Sequence, residues 1–146
     1  MFKKILVPLD GSPLAEAILP QVMELAKALG AELLLLRVAF AHAFPRVDPT
    51  AAEVQVVEKA EEYVGTQAEK VSDKGILVWT AVRYGKPATE ILNHIADNKV
   101  DLVAMSTHGR SGLSRLVMGS VAEEVVRHAK VPVLLMRAPG EHPEPQ

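Results

Sequence analysis

The chain contains no cysteine, which removes a disulfide framework, a thiolate metal site and a cysteine nucleophile at once and agrees with a reducing compartment. It also lacks an excess of positive charge. Sixteen Lys and Arg stand against eighteen Asp and Glu, a formal net charge of -2, so there is no basic footprint of the kind that draws a phosphodiester backbone, and nucleic acid is not an expected partner. No apolar run approaches the roughly 20 residues that span a bilayer. Lys4 to Leu9 read as a strand rather than as the apolar segment of a leader, so no membrane partner is expected and the location expected is cytoplasmic. What is present is 146 residues, 49% of them apolar, enough for one core and one domain with no room for a second.

Five short apolar runs organise that core: Ile5 to Leu9, Leu33 to Val38, Ile76 to Val82, Leu102 to Met105 and Val131 to Met136. They lack clean alternation, as strands covered on both faces do, and helix-period segments separate them. Ser12 is placed to cap a first helix with Pro13 in its first turn, Leu14, Ile18, Val22, Leu25 and Leu29 on one face, and Gly30 as the stop. Pro20 interrupts that helix, since an interior proline costs about 3 kcal/mol; the helix bends there or starts later. A second helix starts at Asp48 and Pro49 and turns Val54, Val57, Val64, Ala68 and Val71 inward as far as Gly75. A third follows Pro87 with Ala88, Ile91, Leu92 and Ile95, and a fourth begins near Ser120 with Val121, Val125 and Ala129. The rhythm predicts an α/β fold: a single-domain, open, five-stranded parallel sheet with helices on both faces, Rossmann-like, in the order 3-2-1-4-5, with a flavodoxin-like order as the alternative. The domain is expected over residues 1–137, followed by a disordered tail, 138–146, carrying three prolines and two glutamates.

In such a sheet a ligand sits where the strand order reverses, between the ends of strands one and four. Strand one runs into Pro8-Leu9-Asp10-Gly11-Ser12, and strand four into Met105-Ser106-Thr107-His108-Gly109-Arg110-Ser111-Gly112, with Gly119-Ser120 at the following helix start. Small residues gather where a phosphate would arrive. Gly109 and Gly119 let backbone N–H groups approach an anion, the helix after Ser120 adds donors, and Arg110 and Arg115 lie in the loop between. The plainer reading makes Gly109 and Gly112 turn residues and Ser120 a cap. Taken alone, the residues point to a phosphate-containing ligand and no further.

The run from Met105 to Met136, MSTHGRSGLSRLVMGSVAEEVVRHAKVPVLLM, together with the opening KKILVPLDGSPLAEAIL, resembles the universal stress proteins, and the likeness covers residues 1 to 137. The nucleotide-binding branch of that family carries Gly-x-x-Gly, nine residues, then Gly-Ser or Gly-Thr. Gly109, nine intervening residues, Gly119 and Ser120 match its second half, while Ser106 holds the position of the first glycine. The resemblance implies an adenine nucleotide, ATP, with a magnesium ion allowed beside the triphosphate. It implies Asp10 near the ribose and phosphates, Pro8, Leu9, Val38 and Met105 around the adenine, and Ser106, His108, Gly109, Arg110, Gly119, Ser120 and Val121 on the ribose and phosphate side. Each has a plainer role: Val38 and Met105 as strand-end core, Asp10 as a turn former beside Gly11, His108 as a brace for its loop.

Catalytic machinery is not indicated. The phosphate-loop pattern Gly-Lys-Ser/Thr is absent, because Gly85-Lys86 is followed by Pro87. Leu9-Asp10-Gly11-Ser12-Pro13 is not the Ser-Gly-Gly-x-Asp-Ser loop of the related pyrophosphate-cleaving ligases. Asp10 and His108 are weak candidates for a general base, so the expectation is slow hydrolysis at most. His42, His94, His128 and His142 lack zinc-ligand spacing. The last strand, Val131 to Met136, is a sheet edge that needs a cover, and the expected cover is its twin in a homodimer, with Pro132 facing away from the shared ladder. The resulting expectation is a nucleotide-responsive regulatory module of the stress response. Its alternative is a dimeric scaffold that binds no nucleotide, as in the branch of the family without the glycines.

Overall fold

Residues facing alternate sides of a strand must be buried by different partners, and the parallel strands here are covered on both faces. The computed structural model describes residues 1–40, 46, 48–108 and 118–138. Its strands, β1 Lys4–Pro8, β2 Glu32–Ala39, β3 Val78–Tyr84, β4 Leu102–Ser106 and β5 Val133–Met136, form one parallel sheet in the order β3-β2-β1-β4-β5. That is the expected order, not the flavodoxin-like one. Ile5, Val7, Leu33, Leu35 and Ala104 pack with Val22 of α2 (Leu19–Leu29) and Val71 of α3 (Pro49–Ser72). Leu6, Leu34, Leu36, Val103 and Met105 pack with Ile91 and Ile95 of α4 (Pro87–Asp97) and Val125 of α5 (Ser120–His128). Among the described residues no helix is long and apolar enough to cross a membrane.

Local chemistry sets most of the boundaries. Ser12 Oγ accepts the Ala15 N–H at 3.1 Å and starts α1 (Pro13–Glu16). Pro20 then separates α1 from α2, where it occupies the first turn and its missing N–H has no intrahelical partner to lose. Gly30 ends α2 in the left-handed conformation, φ 64°. Asp48 Oδ1 accepts the Thr50 N–H at 3.0 Å, capping α3 with Pro49 at its start.

Three expectations need correction. Val54 is 51% exposed rather than inward. The 24 residues of α3 span about 36 Å, against roughly 26 Å for the eight of β2, so the helix overhangs the sheet and its first buried residue is Ala60. β3 runs from Val78 to Tyr84 rather than from Ile76 to Val82, because its ladder with β2 follows backbone register, Leu33↔Val78 to Ala39↔Tyr84. An edge strand keeps that register with polar or half-exposed side chains such as Arg83 and Tyr84. β5 starts at Val133 rather than Val131, after Pro132, which lacks an N–H. The Pro132 carbonyl accepts the Val103 N–H at 3.0 Å, so this residue faces β4 and the outward-facing backbone groups belong to Val133 and Leu135. Ala138, the first residue of the expected tail, is buried; residues 139–146 lie outside the described residues.

α4 is tied to β3 by charge. Arg83 Nε pairs with Glu90 Oε1 at 2.9 Å and Arg83 Nη1 with Asp97 Oδ2 at 3.1 Å. Buried His94 sits between them, its Nδ1 3.4 Å from Arg83 Nη1 and 3.2 Å from Asn98 Nδ2. Both neighbours are donors, so Nδ1 accepts and its protonation would be opposed. Burial holds the His94 pKa below the usual histidine value, with the Arg83 charge lowering it further against an opposing pull from Asp97. The folded state therefore binds the proton less readily than the unfolded chain. The stability that follows is complete above about pH 6.5 and declines as pH falls through that value toward the lower folded pKa, by at most about 1.4 kcal/mol per pH unit for one proton. Urea unfolding between pH 7.5 and 5 is expected to show this decline, and His94→Gln is expected to flatten it; an equal slope in the variant would place the effect elsewhere.

Candidate functional site

The strand order reverses at β1 and β4, and a cleft of about 360 Å³ opens there at the carboxyl ends of the strands. It brings together Pro8, Leu9, Asp10, Val38, Met105, Ser106, His108, Gly119, Ser120 and Val121. Gly109 and Arg110, the other two residues expected here, lie outside the described residues.

On the β1 side the ladder continues past the strand through Leu9 N–H to Leu36 O at 2.8 Å. The chain then turns sharply at Gly11, φ 85°, a conformation that favours glycine. Asp10 Oδ1 accepts the Ser12 N–H at 2.9 Å, so the carboxylate is held at the cleft by the turn it forms. Arg37 of β2 also lines the cleft, its Nη1 donating to Val38 O at 3.0 Å. Below this turn Glu16 Oε2 accepts the Tyr63 hydroxyl at 2.9 Å, which fastens α1 to α3. Burial first, then the hydrogen bond to Glu16, push the Tyr63 pKa well above its usual value, so this phenol stays protonated and donating.

On the β4 side Ser106 and His108 are buried, and the Ser106 hydroxyl accepts the His108 N–H at 3.4 Å. Thr107 Oγ1 lies 3.1 Å from His108 Nδ1. The Gly119 N–H donates to Thr107 O at 2.9 Å, and the Glu123 N–H to Gly119 O at 2.9 Å, which seats the start of α5 against the end of β4. The cap of α5 is Gly119, not Ser120, and no side chain caps it. Ser120 is instead the first helical residue. The N–H groups of Ser120, Val121 and Ala122 therefore have no partner within the helix, and all three residues line the cleft. This end of the cleft offers donors and a partial positive charge to an anion. The cleft also has apolar lining, with Val38 and Met105 joined by Pro87 and Ile91 of α4.

Sequence reasoning missed Ala15, Leu36, Arg37, Phe40, Pro87, Ile91, Thr107 and Ala122 as cleft residues. Of these, Thr107 carried a signal, since it lies between two expected residues. Among the described residues no cluster of three His, Asp or Glu side chains gathers to hold a metal ion.

A cleft at the switch point of a parallel sheet, with a glycine-capped helix aimed at it, defines a doubly wound α/β domain of the Rossmann kind. The model of the universal stress protein family matches residues 1–137, and the chain belongs to that family. It is 32% identical over 152 residues to the universal stress protein YxiE of Bacillus subtilis, covering 94% of this chain and 100% of that one. Over 144 residues it is 31% identical to the universal stress protein MJ0531 of Methanocaldococcus jannaschii, covering 95% and 84%. The solved structure of the universal stress protein UspA from Lactobacillus plantarum superposes with a TM-score of 0.81 at 26% identity, covering 93% and 98%.

Proposed function

We propose that the chain is an ATP-binding regulatory module of the stress response, acting in the cytoplasm and hydrolysing its nucleotide slowly at most. The observation that carries this reading is the N-terminus of α5, without a side-chain cap and lining the same cleft, of about 360 Å³, as the apolar Val38, Met105, Pro87 and Ile91. Phosphates meet the N–H groups of Ser120, Val121 and Ala122, the base lies against Val38 and Met105, and the Asp10 carboxylate accepts from ribose hydroxyls. Close to the phosphates the same carboxylate would repel them, which favours a triphosphate that brings magnesium with it. Gly109 and Arg110 belong to the phosphate side of this proposal. With the Asp10 carboxylate turned to the ribose, the reading is of a module that reports nucleotide rather than consumes it.

Ligand binding to the folded state alone stabilises it. At 100 times its dissociation constant ATP adds about 2.7 kcal/mol, which for a chain of this length raises the melting temperature by roughly 5–10 °C. Thermal unfolding with and without ATP and magnesium is expected to show that rise; an unchanged midpoint at millimolar ATP would favour the dimeric scaffold that binds no nucleotide, a reading supported by Ser106 at the first glycine position.

Homodimerisation through the β5 edge belongs to the same proposal. Leu134 is exposed on this short strand, and Val133 and Leu135 turn their backbone groups outward. Sedimentation is expected to give a dimer for the wild-type chain and a monomer for Leu134→Glu; a monomeric wild type would contradict the proposal.

A further inference from the structure

We infer that Phe40 is a base-stacking residue that sets the base preference of the cleft, an inference that rests on the nucleotide reading above. Strand β2 turns Leu34, Leu36 and Val38 toward α4, and the two-residue period of a strand carries that direction on to position 40. The β2 backbone is held up to Ala39, whose carbonyl accepts the Gly85 N–H at 3.0 Å. Phe40 therefore leaves the sheet one step beyond Val38 and lines the cleft. Phe40 is 52% exposed, although a residue of this kind is more often buried. Val38 on the same strand, Pro87 and Ile91 of α4 and Met105 of β4 bring apolar side chains to the cleft, beside the polar Arg37 of β2 and Ser106 of β4.

An aromatic side chain that follows β2, with β1 between it and the β4 end where α5 begins, suits a flat heteroaromatic group rather than an anion. Stacking tolerates every base but gains with overlap, so Phe40 favours the larger purine over a pyrimidine. The base end would owe part of its affinity to this side chain, which the phosphate end does not touch.

The test is calorimetric titration of the full chain with ATP and with CTP, each with magnesium, for wild type, Phe40→Ala and Phe40→Trp. Phe40→Ala is expected to weaken ATP roughly 5- to 100-fold, to weaken CTP less, and so to compress the preference between them; Phe40→Trp is expected to restore both. Position 40 lies at an exposed rim, and unchanged thermal unfolding of the free variants would separate stacking from misfolding. An unaltered ATP affinity in Phe40→Ala overturns the inference while leaving the nucleotide reading intact. An equal loss for ATP and CTP that tryptophan fails to rescue overturns it as well, assigning Phe40 a structural role. A wild type that binds neither nucleotide overturns the underlying reading and this inference together.

Discussion

Gly119→Val is expected to weaken ATP binding by about 100-fold or more, the equivalent of roughly 3 kcal/mol, in a chain that still folds. Gly119 has φ -60° and ψ 149°, which any residue adopts, so backbone strain is not the reason. The reason is space. A Cβ at this position would lie 3.3 Å from the Thr107 carbonyl oxygen and 3.7 Å from His108 Cα, and both are main-chain atoms of the β4 turn with little freedom to move. Alanine requires a shift of a few tenths of an ångström and should weaken binding more modestly. Valine adds two further carbons, which press on the β4 turn or enter the cleft, and either displacement moves the donors of α5 away from the phosphates. Titration of the variants beside their thermal unfolding checks this: a valine variant that binds ATP like the wild type would remove the α5 N-terminus from the site.

Gly85→Ala is expected to lose about 1–4 kcal/mol of stability. Gly85 has φ 146°, where an L side chain costs on the order of 1–3 kcal/mol. Its Cβ would also lie 3.1 Å from Glu90 Cγ and Oε2, so Glu90 must withdraw from Arg83, a partly exposed pair worth about 1 kcal/mol at most. Denaturant unfolding separates the two contributions: adding Glu90→Ala to Gly85→Ala removes the clash but not the strain, and should recover none of the backbone share. A Gly85→Ala chain as stable as the wild type would mean that the turn into α4 accommodates a side chain after all. Because Pro87 and Ile91 of α4 line the cleft, the same substitution should also weaken ligand binding.

The elements that could be read from sequence are those fixed by short-range chemistry. Ser12, Asp48-Pro49 and Gly30 act on the backbone within a few residues of themselves, and each sets a helix end where expected. The ends of β3 and β5 could not be read in that way, because an edge strand extends as far as its neighbour's ladder requires whatever its side chains are. Val54 failed for a related reason: periodicity reports the face of a helix, not how far the sheet beneath it reaches. Gly85 shows the opposite case. As a motif Gly85-Lys86 leads nowhere, yet its glycine is required by the turn into α4.

The β1 and β4 ends of the cleft were legible because turn-forming and small residues cluster there at the switch point. Arg37, Phe40, Pro87 and Ile91 were not, since they arrive from β2 and α4 only through the strand order and carry no signature of their own. The exchange of cap between Ser120 and Gly119 is one residue in sequence but changes the chemistry. A capping serine would occupy a helix donor, whereas glycine leaves the donors to a ligand.

The central claim is that the cleft binds an adenine nucleotide through the start of α5. Calorimetric titration of nucleotide-free protein with ATP and magnesium tests it most directly, with Gly119→Val titrated under the same conditions. Saturable one-site binding by the wild type and its loss in the variant is the predicted result; a wild-type chain that takes up no heat of binding from ATP would contradict the claim.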